Sequence, residues 1–167
     1  VCFILFVTFI TCFFVPFSSM ETEGSLPGYQ FPITSGYMWP APGYTQINSY
    51  FGKRVSPTAG ASSFHKGLDI GAPQGANLIA VTSGKISFTG FLGGGGYTIT
   101  LSAGNMKFTY CHVSPNYIVK TGELVNKGQI IGHVGPKNVY GVPGNQYTDS
   151  SGRPTNGATT GAHLHFG

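Results

Sequence analysis

Glycine and proline interrupt almost every window of this chain beyond Phe17, and that spacing removes most folds from consideration. The 167 residues include 26 glycines and 11 prolines. In a helix interior glycine costs about 1 kcal/mol and proline about 3 kcal/mol relative to alanine. No long stretch carries apolar residues at helical spacing either, so very little helix is expected. What remains are short runs of alternating apolar and polar residues bounded by turn formers, which read as strands. They include Ile47-Asn48-Ser49-Tyr50-Phe51-Gly52, residues 77–81, residues 85–89, a hairpin pair at residues 97–101 and 107–113, and two short strands within residues 122–135. Turn signals recur roughly every eight to twelve residues, which indicates an all-β chain with an antiparallel sheet or sandwich. The run Gly93-Gly94-Gly95-Gly96 marks a bend that residues with side chains would tolerate poorly.

Three segments depart from this rhythm. Residues 1–17 are apolar apart from Thr8, Thr11 and Pro16, a length between a signal-peptide core and a membrane-spanning helix. A signal peptide or membrane anchor is expected there, and with it export. The sequence opens without Met and without a basic flank, so residues preceding Val1 are expected too. Residues 18–42 read as a Pro/Gly-rich linker, in which residues 33–39 could lay a short strand, and residues 43–167 as the folded domain. Residues 134–160 show no periodicity; a loop that long in a compact domain is usually functional, and it is expected to form a wall of the site.

Nine Lys and Arg against five Asp and Glu give a net charge of +4. They are scattered singly, with no basic cluster, which argues against nucleic acid and for a mildly basic surface facing an anionic polymer such as a bacterial cell wall. Cys2 and Cys12 lie in the apolar segment, leaving Cys111 alone in the remainder. No disulfide framework is available to the domain, so its stability must come from a core or a metal.

The chemistry concentrates in three short stretches. In Gly161-Ala162-His163-Leu164-His165-Phe166-Gly167, strand alternation puts His163 and His165 on one face and Leu164 and Phe166 on the other. Upstream lie His65 and Asp69 in Phe64-His65-Lys66-Gly67-Leu68-Asp69-Ile70, and His112 in Tyr110-Cys111-His112. His65 and Asp69 share a face whether the segment is extended or helical. One histidine of the terminal pair would complete a His2Asp set with an open fourth position, the pattern of a catalytic and not a structural zinc site. The other member of the pair and His112 are then free to accept a proton or hold a developing oxyanion. Alternation also directs Cys111 into the core, with Tyr110 and His112 together on the opposite face. His133 has no motif partner and reads as structural or solvent-facing.

These motifs, in this order and among glycine-rich strands, resemble the LytM/lysostaphin-type zinc endopeptidases of family M23. The resemblance covers the chain from about Phe51 to Gly167. It implies a LytM-like fold related to the barrel-sandwich hybrids, with long glycine-rich loops around a groove. It implies one zinc ion on His65, Asp69 and His165, with His112 and His163 as catalytic residues. It further implies hydrolysis of peptide bonds in peptidoglycan cross-links or stem peptides by a monomer. Such an enzyme works outside the bacterial cytoplasm, secreted, wall-associated or held to a membrane through residues 1–17. The loop before the last motif is longer than in many relatives, and the family continues beyond the position of Gly167. A C-terminally truncated domain with His165 on a frayed strand is therefore expected. A non-catalytic wall-binding or regulatory module of the same fold is the alternative; such relatives generally lose a metal ligand, and all are present here. Residues 84–86 and 122–129 also resemble biotinyl or lipoyl carrier domains, but no lysine stands in the required hairpin-tip context.

Overall fold

A computed structural model of the chain describes residues 36–167. The expected signal or anchor at residues 1–17 and most of the expected linker lie outside the described residues. Among those described, no helix is long and apolar enough to cross a membrane. In chain order the strands are β1 (Ile47–Ser49), β2 (Gly52–Lys53), β3 (Phe64–His65), β4 (Leu68–Ile70), β5 (Asn77–Ile79), β6 (Gly84–Phe91), β7 (Tyr97–Ala103), β8 (Met106–Cys111), β9 (Leu124–Val125), β10 (Ile130–His133) and β11 (Leu164–Phe166). Seven form one sheet in the order β1-β4-β11-β8-β7-β6-β9, while β5 pairs with β10 and β2 with β3. Every pairing is antiparallel, as the turn spacing predicts. A single turn of 3-10 helix at Gly93–Gly95 is all that the glycine content allows among these residues.

The core fills one face of the large sheet. Ile70, Ile86, Ile99, Leu101, Tyr110 and Leu164 pack there with Leu78 and Ile131 from the two-stranded sheet. Burying one aliphatic side chain of this kind stabilises by about 1.5–3 kcal/mol, whereas an exposed ion pair contributes about 0–1 kcal/mol. Apolar packing therefore carries the fold. Residues 36–41 belong to it: Met38 N–H donates to the Val81 carbonyl (2.8 Å) and Ile79 N–H to that of Pro40 (3.0 Å), and Ala41 is fully buried.

The expected fraying of the last strand is not what the structure shows. β11 lies inside the sheet, bonded to β4 on one side and β8 on the other. Beyond it, Gly167 exchanges two backbone hydrogen bonds with Thr109, at 2.6 and 3.1 Å. Its register decides which residues can meet. Leu164 stands opposite Ile70 and Phe166 opposite Leu68 and Tyr110, all on the core face. His165 stands opposite both Asp69 and Cys111 on the other face.

This register reverses the expected orientation of two residues. Tyr110 points into the core and is fully buried; its hydroxyl donates to the Ile79 carbonyl (2.9 Å) and accepts from Val81 N–H (3.1 Å). Cys111 lies on the face of Asp69 and His165. His112 reaches that same side because the chain leaves β8 there, with His112 at φ 59°, a left-handed conformation that ends strand alternation.

Replacing Tyr110 with Phe removes both buried hydrogen bonds while keeping the ring. We expect a loss of about 1–3 kcal/mol, read as a lower urea midpoint with an unchanged slope. An unaltered midpoint would show that the hydroxyl does not tie β8 to the end of β5 and the residues just beyond it.

Candidate functional site

The face carrying Asp69, His165 and Cys111 forms the floor of an open groove of about 610 Å³. One rim comes from the loop after β2, with Val55, Pro57, Gly60, Ala61 and Ser62; the opposite side comes from Leu92, Gly94, Gly95, Ala158 and Thr160. His65, His112, His163 and His165 all line it, so the structure brings every expected site residue to one place. The long loop contributes less wall than expected. Ala158 and Thr160 reach the groove, while the rest is bonded largely to itself, for example through Asp149 to the Arg153 side chain at 2.8 Å.

Three polar atoms form a tight triangle at the centre. His65 Nε2 lies 2.8 Å from His165 Nδ1 and 3.0 Å from Asp69 Oδ1, and His165 Nδ1 lies 2.9 Å from the same Oδ1. Ligand bonds of about 2.0–2.2 Å are usual for a divalent ion held by imidazole and carboxylate, so one ion can touch all three atoms. The donor set of two nitrogens and one oxygen, open towards the groove, fits a catalytic metal centre. Gly67 makes the approach possible, because a Cβ there would collide with the Phe166 carbonyl and lie 3.0 Å from His165 Nε2.

A second ring of contacts orients these groups. His65 Nδ1 lies 2.9 Å from the Tyr50 carbonyl, which can only accept, so the proton sits on Nδ1 and the Nε2 lone pair faces the triangle. Asp69 divides its two oxygens: Oδ1 faces the histidines, and Oδ2 accepts from Arg54 Nη1 at 2.8 Å. The same Nη1 donates to Ser49 Oγ at 2.6 Å. Burial works against ionisation of Asp69, but hydrogen bonds from His163, His165 and Arg54 outweigh it and hold the carboxyl well below the usual carboxylate range. Nothing local in Gly52-Lys53-Arg54, directly before the rim residue Val55, signals this contact in the sequence.

His112 and His163 stand beside the triangle with ring centroids 4.7 Å apart. His163 Nδ1 donates to the Gly161 carbonyl at 2.9 Å, and its Nε2 lies 3.5 Å from Asp69 Oδ1. His112 is buried, and that burial, reinforced by His163, pushes its pKa down to about 3. Cys111 is not in the core, as alternation suggested, but on the groove floor; burial pushes its thiol up to about 11, so it stays protonated and is no nucleophile at neutral pH.

Residues 63–167 match peptidase family M23; the chain belongs to that family. It is 33% identical over 124 residues to the DD-carboxypeptidase/endopeptidase Mpg of Neisseria meningitidis, covering 74% of this chain and 24% of that protein. It is 28% identical over 125 residues to the peptidoglycan DD-endopeptidase ShyC of Vibrio cholerae, covering 74% of this chain and 24% of the relative. The crystal structure of a zinc containing peptidase from Vibrio cholerae superposes with a TM-score of 0.59 at 28% identity, covering 78% of this chain and 36% of that one. The chain thus spans about a quarter of the length of the curated relatives it matches.

The His112 shift has a definite sign. An unfolded chain takes up a proton at this histidine below about pH 6.5, while the folded one resists until about pH 3, so lowering the pH favours unfolding. Between pH 7.5 and 5 this one group costs about 2 kcal/mol. Comparing parent with His112→Gln in the metal-free state, we expect the parent to lose about that much more unfolding free energy over this interval. Parallel pH dependences would show that His112 is accessible to protons in the folded state.

Proposed function

We propose that this domain is a zinc metalloendopeptidase that hydrolyses peptide bonds of bacterial peptidoglycan, in cross-links or stem peptides, outside the cytoplasm. The observation that carries this reading is the triangle of His65 Nε2, Asp69 Oδ1 and His165 Nδ1, all within 4.8 Å, on the floor of a groove flanked by two further histidines. Family membership supports peptidase chemistry. The zinc in the superposed Vibrio peptidase and the peptidoglycan substrate named for ShyC support the metal and the substrate.

In this reading His65, Asp69 and His165 hold the ion. Zinc bound there supplies Lewis acidity, polarising the scissile carbonyl and bringing a water's pKa to near neutrality. His163 is the proton acceptor in this reading, because its ring lines the groove beside the triangle and its Nδ1 is held by the Gly161 carbonyl, which leaves Nε2 free to accept. His112 plays a different part. Its ring stays neutral across the working pH range, so its free nitrogen orients an N–H or O–H group in the groove without holding its proton. The groove is open to solvent, which suits a peptide that is part of a polymer.

Asp69→Ala and His165→Ala should lose stoichiometric zinc and with it hydrolysis of purified peptidoglycan. His112→Ala and His163→Ala should keep one zinc per chain and lose about 10²–10⁴-fold in turnover. Zinc content and release of soluble peptides are the measurements. Undiminished cleavage by Asp69→Ala would remove the mechanism, and loss of zinc from His112→Ala would overturn the assignment of ligands.

A further inference from the structure

His112 is held in an unusual backbone conformation, and the residue that holds it lies 44 positions away in the loop that looked featureless. Asn156 is fully buried and uses every polar group it has. Its carbonyl accepts from His112 Nδ1 at 2.7 Å. Its Oδ1 accepts from Tyr97 N–H at 2.7 Å, and its Nδ2 donates to the Val113 carbonyl at 3.0 Å. Its own N–H donates to the Lys137 carbonyl at 2.8 Å. The side chain thus spans the start of β7 and the residue immediately after His112, and the backbone oxygen meets the His112 ring.

Around this contact His112 is fixed at each end. Its N–H donates to the Gly95 carbonyl and its carbonyl accepts from Gly135 N–H, both at 2.8 Å. Gly96, at φ 65°, leaves room for Asn156: a Cβ there would collide with both the Asn156 carbonyl and Oδ1. An amide is the side chain of this size that can accept at one atom and donate at the other. Aspartate would accept from Tyr97 but present a second acceptor to the Val113 carbonyl; alanine would leave both backbone groups unpaired. Since a carbonyl only accepts, the His112 proton must sit on Nδ1, and Nε2 is left as the acceptor.

We propose that Asn156 is the positioning residue for His112: by clamping Tyr97 and Val113 it sets its own carbonyl against Nδ1 and so fixes the tautomer in which Nε2 faces the groove as acceptor. This deepens the proposed function, since it rests on the role given there to His112.

The test uses the zinc-loaded chain and compares parent, Asn156→Asp and Asn156→Ala. Long-range ¹⁵N correlation of the imidazoles should show His112 as the Nδ1-protonated tautomer in the parent, and mixed or reversed in the variants. With zinc content unchanged, kcat on a soluble peptidoglycan peptide should fall about 10- to 100-fold, with KM altered by less than about 2-fold. An Nε2-protonated His112 in the parent overturns the proposal without recourse to any variant, even if both substitutions prevent folding. Parent kcat and tautomer in Asn156→Asp, alongside an inactive His112→Ala, overturn the proposal and leave the function intact. Full activity in His112→Ala overturns both.

Discussion

The Asp69 carboxylate is the interaction on which the rest of the structure depends. Taking a carboxylate out of water costs several kcal/mol unless its oxygens are paired, and here each oxygen has its own clients: Oδ2 meets Arg54, and Oδ1 meets His65, His163 and His165. Those four partners come from three stretches of the chain, and the register that sets β11 against β4 brings the two histidines of the last stretch to Asp69. The short β1 strand, which pairs Ser49 with Asp69, has the same purpose: it carries the chain to Tyr50, Ser49 and Arg54, which orient the ligands from behind. The charge, the orientation of the donors and the sheet register are one constraint seen at three scales.

Much of this was legible in the residues. The antiparallel all-β architecture followed from glycine, proline and short alternating runs, because local turn chemistry sets strand length in such chains. The first and last histidine motifs were legible because each has paired donors at even spacing, and the structure brings them with His112 into one groove. Other features were hidden because they depend on tertiary register. Strand alternation placed Cys111 in the core and Tyr110 towards the groove, and it failed at one residue: His112 adopts a left-handed backbone, which no neighbouring side chain announces. Arg54 and Asn156 were invisible for a similar reason. Each acts through a partner 15 or 44 residues distant, and nothing local distinguishes them from a surface arginine and a loop asparagine.

The two histidines beside the triangle show how environment separates chemically identical groups. His163 sits next to a carboxylate and a backbone carbonyl at the groove floor, whereas His112 is buried against another imidazole and held by Asn156. Burial in the second surroundings keeps the His112 ring neutral. Two copies of one side chain thus sit in different surroundings within a few ångströms of each other.

The place of β11 in the sheet has a further meaning. The strands on its two sides form separate halves, β1 with β4 and β8 with β7, β6 and β9, and among the described residues β11 alone bridges them within that sheet. It follows both halves in chain order. While the polypeptide is being made, Asp69 can fold with one half and the strand leading to His112 with the other, but the cluster of histidines and carboxylate is complete only once the closing strand slides between them. Topology alone thereby makes the site the last part of the sheet to assemble.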